Sequence, residues 1–109
     1  MVGPLDQREE VNGLRKYEVM YIIKPDLEES KYPEIIEKYN TLIQNNGGEV
    51  LKVEPWGKRR LAYEINKLRE GYYVLLQMAC SPDFPAELER NFKIADEIMR
   101  FLVTRIEEK

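Results

Sequence analysis

The chain has no histidine, and its single cysteine is Cys80. The first absence removes the commonest general base and the commonest metal ligand. It also rules out a Ser/His or Cys/His nucleophilic pair. The second excludes an internal disulfide and a thiolate metal cluster, and it points to a reducing compartment. No apolar run approaches the roughly 20 residues a membrane-spanning helix needs. Residues 1–13 contain Asp6, Glu9 and Glu10 and no apolar core, so they match neither a secretory signal nor a basic transit peptide. A phosphate-cradling glycine loop is missing as well, because Gly47-Gly48 follows a helical pattern where such a loop would precede one. Carboxylates are plentiful, but Glu28, Glu29, Glu34 and Glu37 fall on a solvated helical surface, where cap and dipole roles account for them. No catalyst, cofactor or metal is expected from these residues.

What is present fits one soluble domain. A chain of 109 residues, 43% hydrophobic and 34% charged, buries a single modest core beneath a highly charged surface. Residues 1–13, punctuated by Gly3, Pro4, Asn12 and Gly13, read as a flexible extension, and 14–109 as the domain. In 14–23, Tyr17, Val19, Tyr21 and Ile23 alternate with Lys16, Glu18, Met20 and Ile22, the pattern of a strand whose first set faces the core. Pro25 stops it. A helix follows from near Glu29–Lys31, with an apolar stripe of Ile35, Ile36, Tyr39, Leu42 and Ile43 and a C-terminus at Gly47. Residues 49–66 are extended, with Val50, Lys52 and Glu54 opposite Leu51 and Val53, and with a break at Pro55-Trp56-Gly57 that predicts a bulge or a sheet edge. Asn66–Gly71 reads as a polar hairpin loop. The apolar run Tyr72–Cys80 suits a central strand, and Cys80 in it is a small buried hydrophobe. Ser81-Pro82-Asp83 caps a second helix with a stripe of Phe84, Leu88, Phe92 and Ala95. Met99, Phe101 and Val103 then alternate with Arg100, Leu102 and Thr104 in a last strand. The order β-α-β-β-α-β specifies an α+β, ferredoxin-like sandwich: a four-stranded antiparallel sheet, order 4-1-3-2, with both helices on one face.

Two features carry functional weight. Lys58-Arg59-Arg60 is a basic run inside a strand-like segment of a chain of net charge −3. With Arg15, Lys16, Arg100 and Arg105 it offers a basic sheet surface to a polyanion, while the acids gather on the first helix and the termini. Its plain alternative is a solvated run paired with Glu54 and Glu64. The sheet face left bare by the helices presents Met20, Ile22 and Leu102, an apolar patch suited to a protein partner. Tyr17, Tyr21 and Tyr73 read mainly as core, and Gly71–Met78 lacks part of the aromatic pattern of RNA-recognition domains, so phosphate and shape contacts outrank base stacking. A single-stranded RNA binder and a ligand-sensing ferredoxin-like oligomer are the alternatives.

Arg15-Lys16-Tyr17-Glu18, Lys24-Pro25-Asp26-Leu27, Gly47-Gly48, the block Trp56-Gly57-Lys58-Arg59-Arg60-Leu61-Ala62-Tyr63-Glu64-Ile65 and Gly71-Tyr72-Tyr73 together resemble the bacterial-type small-subunit ribosomal protein six family over about 15–107. The resemblance implies a non-enzymatic ribosomal protein that binds the central domain of small-subunit ribosomal RNA together with ribosomal protein eighteen. It places the chain on the ribosome, in a bacterial cytoplasm or a plastid stroma. It makes Arg15, Lys16, Lys58, Arg59, Arg60, Arg100 and Arg105 candidate RNA contacts, and Met20, Ile22 and Leu102 candidate contacts to the protein partner. The acidic residues 1–13 depart from the family's usual short start.

Overall fold

Tyr17, Val19, Tyr21 and Ile23 share one face of strand β1 (Arg15–Ile23), and all four are buried. The computed structural model describes residues 14–65 and 67–106, so the extension expected at 1–13 lies outside the described residues. Helix α1 (Lys31–Asn45) lays Tyr32, Tyr39 and Ile43 on that face, and α2 (Phe84–Ile94) adds Phe84, Leu88 and Phe92. Between β1 and α2 run α1, then β2 (Glu49–Ile65) and β3 (Leu68–Cys80); β4 (Ile98–Arg105) follows α2. The sheet order is β2-β3-β1-β4 with every pairing antiparallel, which is the expected ferredoxin-like sandwich. Tyr21, Tyr39 and Phe92 meet at centroid distances of 4.8–5.4 Å, so three elements converge on one aromatic knot.

α1 begins within the expected Glu29–Lys31 and α2 just after Asp83, but neither Ser30 nor Asp83 caps its helix through its side chain. Main-chain turns do that work: Lys31 N–H donates to the Glu28 carbonyl at 2.9 Å, and Phe84 N–H to that of Ser81 at 3.1 Å. α1 closes through Gly47, whose φ is +83°, as expected.

Bulges account for most departures from the sequence reading. β2 shifts register against β3 at Val50/Lys52, Pro55/Gly57 and Arg60/Ile65. Each extra residue reverses the alternation beyond it. Val50 and Val53 therefore both pack against the core, and Leu51 turns out to solvent, where simple alternation had opposed Leu51 and Val53 to Val50. Gly57 takes φ +84° at the second shift, a conformation other residues adopt only with strain. A shift between Ile22 and Ile23 pairs Arg100 with Ile22 and Ile98 with Ile23. Met99 thereby leaves the face it was expected to share with Phe101 and Val103. Its Sδ lies 3.6 Å from where a Gly71 side chain would start.

The expected loop at Asn66–Gly71 is also shorter: β3 already begins at Leu68, and Lys67 turns the hairpin with φ 68°. β1 pairs with β3 only as far as Ile23↔Tyr72. The β2–β3 hairpin therefore runs on past the end of β1 as an arm.

Candidate nucleic-acid and protein interface

With both helices on one side, the other sheet face is left to the even-numbered residues of β1 and their neighbours. Met20 sits between Leu102 of β4 and Leu75 of β3, and Ile22 sits between Arg100 and Tyr73. The three residues expected to meet a protein partner thus form one contiguous patch, extended by Leu75 and Tyr73. Leu102 is 65% exposed. Tyr73, read as mainly core, is instead half-buried on this face, with Trp56 stacked beside it at 6.3 Å and 14°. The misplacement has a simple cause. Tyr72–Met78 is apolar on both faces, so alternation carries no signal there, and only the pairing Ile22↔Tyr73 assigns the face.

The arm folds back over this surface. A methyl group on Gly71 would overlap Ile22 Cγ2 and approach Leu61 Cδ2 at 3.6 Å. Having no side chain, Gly71 leaves room for Leu61 of β2, which is only 8% exposed although it sits near the hairpin tip. Anchored there, the arm brings Tyr63 within 5.7 Å of the Arg100 guanidinium, a contact between strands at opposite edges of the sheet. On the same surface Arg59 lies 5.6 Å from the Trp56 ring, and its Nε–H donates to the Trp56 carbonyl at 3.2 Å. Side-chain hydrogen bonds from Lys52 and then Trp56 hold the Glu54 carboxyl below the ordinary carboxylate range.

The seven expected RNA contacts separate into two groups. Lys58, Arg59, Arg60 and Arg100 gather at the arm end of the sheet, where Lys58 pairs with Tyr72 and Arg100 with Ile22. Arg15, Lys16 and Arg105 gather at the other end, with Arg15 opposite Cys80, Lys16 opposite Ala79 and Arg105 opposite Tyr17. The six-residue step from Lys16 to Ile22 separates the groups by about 20 Å. Glu18 lies between them on β1, and Glu54 on β2, so the charges are not divided into a basic sheet and an acidic helical back. Lys58 leans toward the helix side, with its Nζ 3.9 Å from Glu29, and Lys52 is paired with Glu54 at 3.0 Å. Among the described residues Arg60 and Arg100 have no carboxylate partner.

Arg69, absent from the expected set, joins the arm group. Glu64 holds its Nε at 3.0 Å. Its charge is visible in the sequence, but the polar segment Asn66–Gly71 that holds it reads there as a loop. Among the described residues no helix is long and apolar enough to cross a membrane.

A ferredoxin-like sandwich with one uncovered apolar sheet face beside a cation-rich arm defines a protein of the docking class. Sequence and structure comparisons make the assignment specific. The family described as Ribosomal protein S6 matches residues 16–105. Small ribosomal subunit protein bS6 of Halalkalibacterium halodurans is 57% identical over 95 residues, covering 87% of this chain and 100% of that protein. The bS6 of Moorella thermoacetica is 48% identical over 96 residues, covering 88% of this chain and 98% of that protein. The crystal structure of 30S ribosomal protein S6 from Thermotoga maritima is similar at a TM-score of 0.81 and 34% identity, over 85% of this chain and 88% of that one. The chain belongs to the ribosomal protein S6 family. That family consists of structural ribosomal proteins and not enzymes, which agrees with the reading of the histidine-free sequence.

Proposed function

We propose that this protein is a structural component of the small ribosomal subunit. In this reading it binds the central domain of small-subunit ribosomal RNA together with ribosomal protein eighteen. The observation that carries the reading is the juxtaposition of the Met20–Leu75–Leu102 patch with the cations Arg59 and Arg100 on one side of the sheet, with Lys58 and Arg60 next to them on the arm. An apolar patch of this kind suits a partner that stays bound, and its basic border suits phosphates held nearby. Arg15, Lys16 and Arg105 supply a second phosphate contact at the far end of the sheet. The family places the chain on the ribosome, and the similar proteins come from bacteria. The net charge of −3 makes a co-binding protein the natural source of affinity.

Met20→Lys tests the reading. Met20 points away from the core, so the variant is expected to fold as wild type by circular dichroism yet lose binding to protein eighteen by at least tenfold in titration calorimetry. Wild-type affinity in the variant would remove the bare face from the mechanism. Unfolding of the isolated variant would make that face core.

A further inference from the structure

We propose that Tyr63 is a stacking platform for one unstacked RNA base, with Arg60 and Arg69 taking the phosphates beside it. The inference rests on the RNA binding proposed above and adds a kind of contact to it. The sequence favours phosphate and shape contacts, and no local pattern in it singles out Tyr63.

Residues 56–71 carry Lys58, Arg59, Arg60, Lys67 and Arg69 against Glu64 and Glu70, in a chain of net charge −3. The arm is thus the local reversal of the molecule's charge. Tyr63 lies in the middle of it and is 61% exposed. A ring exposed on that scale gains little from burial, so core packing does not account for an aromatic at this position. The residue two before it shows that the strand can bury what it needs to bury, since Leu61 is 8% exposed.

The ring is held in place as well as exposed. Leu61 anchors the arm over Gly71 and Ile22, and the Arg100 guanidinium lies 5.7 Å from the Tyr63 centroid. A cation on one side of a phenol leaves the other side as a flat surface for stacking. Beside the ring is an open hollow of about 310 Å³ lined by Arg60, Leu61, Ala62, Tyr63, Glu64 and Arg69. That volume is at the small end of sites that take small ligands. Glu64 holds Arg69 by its Nε, so the terminal nitrogens of that guanidinium have no partner among the described residues. A flat aromatic surface with guanidinium groups on its rim matches the way proteins take a splayed-out RNA base and its flanking phosphates. An apolar peptide would leave Arg60 and the terminal nitrogens of Arg69 without partners, and an acidic peptide would leave the ring unused.

The test uses the full chain with protein eighteen and a transcript of the ribosomal RNA central domain, measured at several salt concentrations and by base-reactivity footprinting. Tyr63→Leu is expected to weaken binding roughly five- to a hundredfold, the range a lost base stack gives, with an unchanged salt slope and one newly reactive nucleotide. Tyr63→Phe and Tyr63→Trp are expected to stay within about twofold of wild type, because the stacking surface survives. Arg60→Ala is expected to lower affinity and to make the slope shallower by about 1. Exposure of Tyr63 predicts an unchanged melting temperature for all three ring variants. If Tyr63→Leu binds like wild type while Arg60→Ala weakens binding, the stacking site is wrong and RNA binding stands. If Tyr63→Leu weakens binding with no single-base change in the footprint, the ring acts by other means and the inference falls. If wild type itself does not bind the transcript, the RNA reading fails and takes the inference with it.

Discussion

The hydroxyls of Tyr21 and Tyr39 are buried and have no hydrogen-bond partner among the described residues, although their rings are packed at 5.4 Å. A buried hydroxyl without a partner costs stability that the ring alone would not. Tyr21→Phe keeps the packing and removes the polar atom, so it is expected to leave the fold unchanged and raise stability by about 1 kcal/mol, read from urea unfolding at pH 7. The same burial has a pH signature. Desolvation, with Glu97 adding to it, pushes the Tyr39 phenol from 10.0 up to about 12, and burial pushes Tyr21 further in the same direction. The fold therefore favours the neutral phenols. Their contribution is fully present below the ordinary value of 10.0 and declines as pH rises toward about 12, because the unfolded chain ionises first. Tyr39→Phe is expected to flatten the fall in melting temperature above pH 10. A fall as steep as wild type would show that other groups drive alkaline unfolding.

At the scale of elements the arm is the informative part. Gly71→Ala places a methyl where Ile22 Cγ2 already sits, and Leu61 closes the space from the other side. Overpacking of this kind typically costs about 1–3 kcal/mol. Restoration of part of the loss by Ile22→Ala in the same chain, measured as a double-mutant cycle, would locate the clash. Strictly additive losses would contradict it. The two open sheet edges are protected differently. β2 carries Pro55 and three register shifts, and β4 is short and sets Arg100 and Arg105 along its length.

The elements show why some features could be read from sequence and others could not. β1 was readable because Tyr17, Val19, Tyr21 and Ile23 alternate with a face that begins polar. The stripe of α2 was readable because Phe84, Leu88 and Phe92 recur every four residues. Leu51 and Met99 were misassigned because a bulge has no composition of its own and reverses every side chain beyond it. The segment after Ile65 looked like a loop because Lys67, Arg69 and Glu70 are polar, although exposed strand residues of an arm have no reason to be apolar. The meeting of Tyr63 with Arg100 joins opposite sheet edges, so no local pattern contains it.

For the whole molecule, the two sides of the sheet divide the work. The helix side holds the fold through an aromatic knot and buried aliphatic residues. The bare side has an apolar centre, with Lys16 at one end and Arg59 and Arg100 at the other. Charge is concentrated locally, at the arm, in a chain that is acidic as a whole. Binding to a polyanion should therefore depend on a few residues and respond steeply to salt. Within the basic run the three cations differ in their surroundings: Lys58 is partly engaged by Glu29, Arg59 lies against Trp56, and Arg60 stands across the ladder from Glu70.

The most direct measurement is the salt dependence of binding to the central-domain transcript, in the presence of protein eighteen, for wild type and for the combined Lys58→Ala, Arg59→Ala and Arg60→Ala variant. The account predicts a folded variant whose affinity falls and whose plot of log affinity against log salt is shallower by about 2–3. A folded variant with wild-type affinity and wild-type slope would mean that the arm does not touch the RNA.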